Sequence, residues 1–256
     1  MVNQTAATGF SANADTYHRG RPTYHPSLVR RVVDRYGSGT VVELGAGTGI
    51  FTRQVMELGA SLIAVEPVLA MRTALLEALP DADVRVGAAE NIPLDDGTVD
   101  SVIAAQAFHW FDHRAALDEI HRVLKTGGHL VTVWNVRDET VPWVATLTKV
   151  VDRYAGDTPR YRDMAWRRAI NSDARFGSID EWRMANPIVV GPDDVVNRIL
   201  STSFISTLPE DKQAEVEQET RDIVADLGDE FEFPYVSQLQ AWRALGVDPE
   251  GDPGEG

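Results

Sequence analysis

The run Val41-Val42-Glu43-Leu44-Gly45-Ala46-Gly47-Thr48-Gly49-Ile50 decides the fold: an apolar strand, a glycine-rich turn, then the start of a helix. Glycines at such a turn let backbone N–H groups and the helix N-terminus approach a ligand without a Cβ in the way. A dinucleotide site calls for G-x-G-x-x-G. Here the spacing is G-x-G-x-G, and Glu43 stands just before the first glycine. A carboxylate so placed repels a pyrophosphate and attracts a ligand that bears an ammonium and a sulfonium.

Moving outward, Ala64-Val65-Glu66-Pro67 ends a second strand and puts a carboxylate 21 residues after Gly45. One carboxylate accepts hydrogen bonds from both hydroxyls of a ribose. NAD sites use the same device, so Glu66 alone does not discriminate, whereas Glu43 and the glycine spacing do. The first half alternates β-rich runs with amphipathic ones, the pattern of a parallel sheet flanked by helices. Strands are expected at Thr40–Leu44, Ser61–Val65, Asp83–Val86, Val99–Ala104 and His129–Trp134, and helices at Pro26–Tyr36, Ile50–Leu58, Val68–Leu79 and Arg114–Leu124. The last helix is read as ending on Lys125-Thr126-Gly127-Gly128, a cation and a left-handed glycine cap. Further on, the pattern predicts helices at Val144–Tyr154, Asp193–Leu200 and Glu210–Leu227, and a helical insertion over Tyr161–Phe176. It also predicts strands at Ile188–Val190 and Phe231–Leu239, with Pro234 suited to an edge or bulge.

Four blocks in order, VVELGAGTGI, AVEP, GAAENIPLDDGTVDSVIAAQAFHWFD and HRVLKTGGHLVTVWN, resemble those of the class I S-adenosylmethionine (SAM)-dependent methyltransferases. The similarity is to the broad small-molecule group of the type 11 methyltransferases, including trans-aconitate-type and ubiquinone-biosynthesis-type enzymes. It implies an α/β fold, a Rossmann-like doubly wound seven-stranded mostly parallel sheet with its last strand antiparallel, an N-terminal lid and a helical cap insertion. Residues 1–39 would be lid and first helix, 40–140 the SAM-binding core, 141–247 the rest of the sheet with a substrate-side cap, and 248–256 a disordered tail. The resemblance further implies that Gly45, Ala46, Gly47 and Gly49 cradle the methionine part of SAM and that Glu43 supports its ammonium. Glu66 would hold the ribose, Pro67 and Met71 border the adenine, and the Ala89–Glu90 backbone flank its edge. Gln106 and Ala107 would border the sulfur, with Tyr17, Arg19 and Arg21 closing over the cofactor. S-adenosylhomocysteine (SAH) would be the product.

The acceptor side is read from Gln106-Ala107-Phe108-His109-Trp110-Phe111-Asp112, at the carboxyl edge where open α/β sheets bind ligands. His109 titrates in the useful range and is the candidate general base, if one is used. Phe108 and Trp110 are candidate walls for a sulfonium. Asn135 is a candidate for orienting an acceptor, Arg137 for holding an acidic one, and Trp143 for lining the site. The reading is methyl transfer to a small-molecule acceptor, with an oxygen or carboxylate nucleophile favoured. A SAM-binding protein without transfer and a nucleotide-dependent oxidoreductase are the alternatives.

Composition limits the partners. The 256 residues carry a formal charge of -15, against the clustered Lys and Arg that phosphate binding needs, so nucleic acid is not expected. From Leu208 onward 14 acidic side chains face 3 basic ones, so the acid excess lies outside the cofactor half. Cysteine is absent, which excludes disulfides and thiol nucleophiles. No His/Asp/Glu cluster has metal spacing, no run suits a membrane span, and no secretory signal is legible. A cytoplasmic monomer or homodimer is the expectation.

Overall fold

The computed structural model describes residues 21–246, so Tyr17, Arg19 and the 248–256 tail lie outside it. Strands β1 (Val41–Leu44), β2 (Ile63–Val65), β3 (Asp83–Arg85), β4 (Val99–Ala105), β5 (Leu124–Arg137), β6 (Phe176–Ala185) and β9 (Tyr235–Ala244) form one sheet of order β3-β2-β1-β4-β5-β9-β6. The pairs from β3 to β5 are parallel, and β9 runs antiparallel to both of its neighbours. This is the doubly wound, mostly parallel seven-stranded sheet expected, with its last strand antiparallel.

Alternation along the strands divides the core. Val42, Leu44, Val102, Ala104, Leu130 and Trp134 pack on one face, under helices α4 (His113–Val123) and α6 (Ala165–Asn171). Val41, Ile103, Ala105, Val131 and Val133 pack on the other, under α1 (Pro26–Tyr36), α2 (Ile50–Glu57) and α3 (Leu69–Ala78). Strands buried on both faces explain the unbroken apolar runs of the sequence. A third core joins α5 (Pro142–Asp152), α7 (Pro192–Leu200) and α8 (Glu210–Val224) to the antiparallel pair β7 (Ile188–Val190) and β8 (Phe231–Phe233).

Three sequence expectations are corrected. Helix α4 stops at Val123, and Lys125 to Gly128 form a register shift inside β5, where Gly127 takes φ +82° and Lys125 Nζ binds Asp100 at 2.8 Å. The segment 161–176 is only partly helical, and Phe176 opens β6, an edge strand that was not foreseen. The stretch Phe231–Leu239 is two strands, because Pro234, lacking a donor, separates β8 from β9. Neither β7 nor β8 joins the main sheet. Among the described residues no helix is long and apolar enough to cross a membrane.

Candidate active site

Two adjoining cavities open at the carboxyl ends of β1, β2, β4 and β5. The first is built on the glycine turn. Gly45 N donates to Val65 O at 2.8 Å, and Gly45 and Gly47 take φ +69° and +58°. A Cβ on Gly45 would stand 2.8 Å from Ala107 Cβ, whereas one on Gly47 would enter open space along the cavity wall. Gly49 does not line this cavity: a Cβ there would meet Leu75 at 2.8 Å, so its part is to let α2 and α3 pack closely.

Strand alternation turns Glu43 away from Val42 and Leu44 and toward α2, where its Oε2 accepts from Thr52 Oγ1 at 2.6 Å. The carboxyl is buried, and burial pushes its pKa up to about 8; the Thr52 bond opposes this and the nearby Glu66 adds to it. Glu66 is also buried. Its two oxygens accept one each from Gly47 N at 2.9 Å and Val68 N at 2.8 Å. Burial raises the Glu66 carboxyl, while those amides and the Arg72 guanidinium hold it down. Arg72 Nη1 donates to the carbonyls of Glu66 and Pro67, fixing the turn that carries the carboxylate. Pro67, Val68, Met71, Ala88 and Ala89 supply an apolar wall beyond it. Glu90 lines the same cavity and accepts from Asp112 N at 2.9 Å, tying this wall to the start of α4.

The second cavity shares Arg21, Gln106 and Trp110 with the first. Gln106 is held in the left-handed region at φ 57°, and its Nε2 donates to Asn135 O at 2.7 Å, so the border between the cavities is a strained, tethered turn. The cavity is lined by Arg21, Arg137, Arg160, Arg162, Arg183 and Arg198, against only Asp138 and Glu139 among acidic residues. Arg198 is 6% exposed, with its guanidinium 4.8 Å from the Tyr235 ring centre. Burial pushes Arg198 down to about 10 and lowers Arg137 too; Tyr235 opposes the shift in both, and neighbouring cations deepen it. Arg160 and Arg162 both pair with Asp152, and Arg162 also reaches Glu139 at 3.0 Å.

His109 lines this second cavity, its ring 4.9 Å from that of Trp110 and 5.5 Å from that of Trp134. Its Nδ1 is buried with no hydrogen-bond partner among the described residues. Burial, with Arg21, His113 and Arg160 adding positive potential, pushes its pKa down to about 3, so the imidazole is neutral at pH 7.

The structure thus brings Arg21, Glu43, Gly45, Ala46, Gly47, Glu66, Pro67, Met71, Ala89, Glu90, Gln106 and Ala107 around one cavity, and His109, Trp110, Asn135 and Arg137 around its neighbour. Three expected acceptor residues are placed otherwise. Phe108 is fully buried in the first core against Phe111 and His113 and lines neither cavity. Trp143 packs edge-on against Phe231 and at a tilt against Phe233 in the third core, away from both. Asn135 reaches the second cavity, but its polar atoms are taken: Nδ2 donates to the carbonyls of Pro22 and Thr23, and Oδ1 accepts from Asn186 and Ser237. It anchors the chain entering α1. Arg198 and Tyr235 escaped sequence reading. The usable signal was Arg198 itself, an arginine at helical spacing within the stripe of Val195 and Ile199, both buried.

The family profile of a methyltransferase domain matches residues 42–132. A methyltransferase-like protein of Schizosaccharomyces pombe, of uncharacterized activity, is 34% identical over 227 residues, covering 87% of this chain and 88% of the relative. An uncharacterized methyltransferase of Mycobacterium tuberculosis is 35% identical over 218 residues, 85% of this chain and 84% of the relative. A solved structure from Anaeromyxobacter dehalogenans, 23% identical, superposes with a TM-score of 0.65 over 88% of this chain and 98% of that one, which shows the shared fold.

Proposed function

Because the chain belongs to the class I SAM-dependent methyltransferases, we propose that the carboxylate-lined cavity holds SAM and the arginine-lined cavity holds a small acceptor with an oxygen nucleophile, a carboxylate foremost. The residues of the first cavity suit the cofactor. Gly45 and Gly47 leave room for the methionine part, and Glu43 offers a buried acid to its ammonium. Each Glu66 oxygen takes a single amide bond in the structure, leaving a lone pair for a ribose hydroxyl. Pro67, Met71 and Ala89 offer an apolar wall to adenine. The observation that carries the reading is this pair of buried carboxylates on a left-handed glycine turn, opening directly onto a second cavity.

SAM, when bound, supplies a methyl group already activated for displacement. The protein's part is therefore alignment and exclusion of water, without covalent catalysis. Gln106 and Trp110, common to both cavities, border the point of transfer, and the tether from Gln106 to Asn135 holds that border still. His109 serves as a neutral wall. A base with a pKa of about 3 is far from the operating pH at which proton transfer is efficient, and an ionised carboxylate has no proton to lose.

The test is calorimetric titration of SAH into the wild-type chain, followed by SAH release with an acceptor panel. Binding of SAH with no binding of NADH supports the cofactor assignment. Failure of SAH to bind contradicts it.

A further inference from the structure

The charge of the second cavity is at odds with the rest of the molecule. A chain with net charge -15 places six arginines around one cavity that has two acidic lining residues. Removing a cation from water is costly unless it is paired. Arg160 and Arg162 are paired, through Asp152 behind the cavity wall and Glu139 at its rim. Arg137 and Arg183 form no ion pair among the described residues, and Arg137 is half-buried. The face of Tyr235 lies against Arg198, and the Tyr235 hydroxyl is buried without a well-formed hydrogen bond. Two guanidinium groups and a phenol thus converge at the inner wall, while Arg162 and Arg183 are exposed at the mouth.

Resting on the proposed methyl transfer, we infer that the acceptor carries a second acidic group, carboxylate or phosphate, that does not react and is held by Arg137 and Arg198 with the Tyr235 hydroxyl. Guanidinium presents a planar fork of donors that matches the oxygens of either acid, which suits it to bidentate capture where lysine would act as a point charge. The exposed arginines at the mouth add long-range attraction and raise the local concentration of an anion. The reacting oxygen then faces Gln106 and Trp110. In the transfer its lone pair forms the new bond to the methyl carbon and the carbon–sulfur pair stays on sulfur. The sulfonium and the acceptor anion lose their charges together, and no proton moves. The non-reacting acid keeps its charge throughout, so the arginines that hold it orient the acceptor without opposing the reaction.

The experiment titrates the full chain, saturated with SAH, with succinate, citrate and glycerol 2-phosphate, and with the neutral dimethyl succinate and glycerol. At least one anion should bind about tenfold or more tightly than its neutral counterpart, and Arg137→Gln and Arg198→Gln should each weaken that binding about tenfold or more. SAH affinity should stay within about twofold, since neither arginine lines the cofactor cavity. Arg183→Gln, at the exposed mouth, should lower the anion association rate with a smaller effect on affinity, and it serves if the buried Arg198 variant does not fold. The carboxylate and phosphate arms show which acid the wall prefers. The inference is overturned if SAH binds normally and no anion binds, if the neutral compounds bind equally well, or if Arg137→Gln leaves anion affinity unchanged. Loss of SAH binding by the wild type would instead strike the proposed function.

Discussion

The two cavities share three residues and have opposite chemistry. On the cofactor side Glu43, Glu66 and Glu90 line the wall with Arg21 as the lining arginine; on the acceptor side six arginines meet two acids. The contrast reaches the protonation states. Burial drives Glu43 up to about 8 and His109 down to about 3, so both are neutral at pH 7 in the structure described. Under the proposed function a cationic cofactor favours the ionised form of the first, while the second stays neutral and the positive charge of its cavity comes from the arginines. On the same reading each cavity meets a ligand of the opposite sign, and the charges cancel where the cavities meet.

The sharpest way to break this comparison is Glu66→Ala. On the proposed function it removes two ribose bonds, and it leaves Gly47 N and Val68 N without their acceptor, so SAH affinity measured by calorimetry should fall by roughly 1–3 kcal/mol. Unchanged affinity would remove Glu66 from the site. Gly49→Ala tests the difference between a cradle glycine and a packing glycine. With φ +81° and a 2.8 Å approach to Leu75, it should lower thermal stability, by roughly 1–2 kcal/mol for the left-handed backbone alone, with SAH affinity less affected than stability. A larger loss of affinity than of stability would make Gly49 part of the cradle.

Glu43 predicts a pH dependence. Its folded pKa, about 8, lies above the ordinary carboxylate value, so the ligand-free fold binds this proton more tightly than the unfolded chain does. Stability from this group is full below the ordinary carboxylate pKa and is lost as pH rises toward about 8. SAM affinity should move the other way, strengthening as Glu43 ionises, and Glu43→Gln should flatten both trends. A wild-type SAM affinity independent of pH between 6 and 9 would contradict the ammonium assignment. The smallest effect is expected at His109. His109→Ala should lower turnover modestly, leave SAH affinity unchanged, and the wild-type rate should show no inflection from this group near pH 6.5. An inflection there that the variant abolishes would restore His109 as a base.

The cofactor side was legible in sequence because its parts are local. One strand, one glycine turn and the carboxylate at the next strand's tip lie within residues 41–67, and strand alternation sets Glu43 opposite Val42 and Leu44. The acceptor side was legible only in part: His109, Trp110, Asn135 and Arg137 lie at or just after strand ends, whereas the rest of the wall comes from the segment 158–162, α7 and the start of β9, which only tertiary packing brings together. Residue type alone suits Phe108 and Trp143 to lining a site, yet an aromatic side chain beside a site is as readily consumed by the core, as Phe108 is in the first core and Trp143 in the third. Asn135 stands at the expected strand end, but the loop before α1, Asn186 just after β6 and Ser237 on β9 claim both polar atoms of its side chain. Strand β6 alternates weakly and carries Asp180, Glu181 and Arg183 at an exposed edge, so its pattern resembles a loop. Arg137 was identified; its partner Arg198 lies 61 positions later on a helix that reads as ordinary.

The central claim, that cofactor and acceptor occupy separate cavities meeting at Gln106 and Trp110, is tested most directly by a crystal structure with bound SAH. Its ribose should lie on Glu66, its amino group beside Glu43, and its sulfur should face the arginine-lined cavity across Gln106 and Trp110. SAH lying among the arginines, or in the first cavity with its sulfur turned away from them, would contradict it.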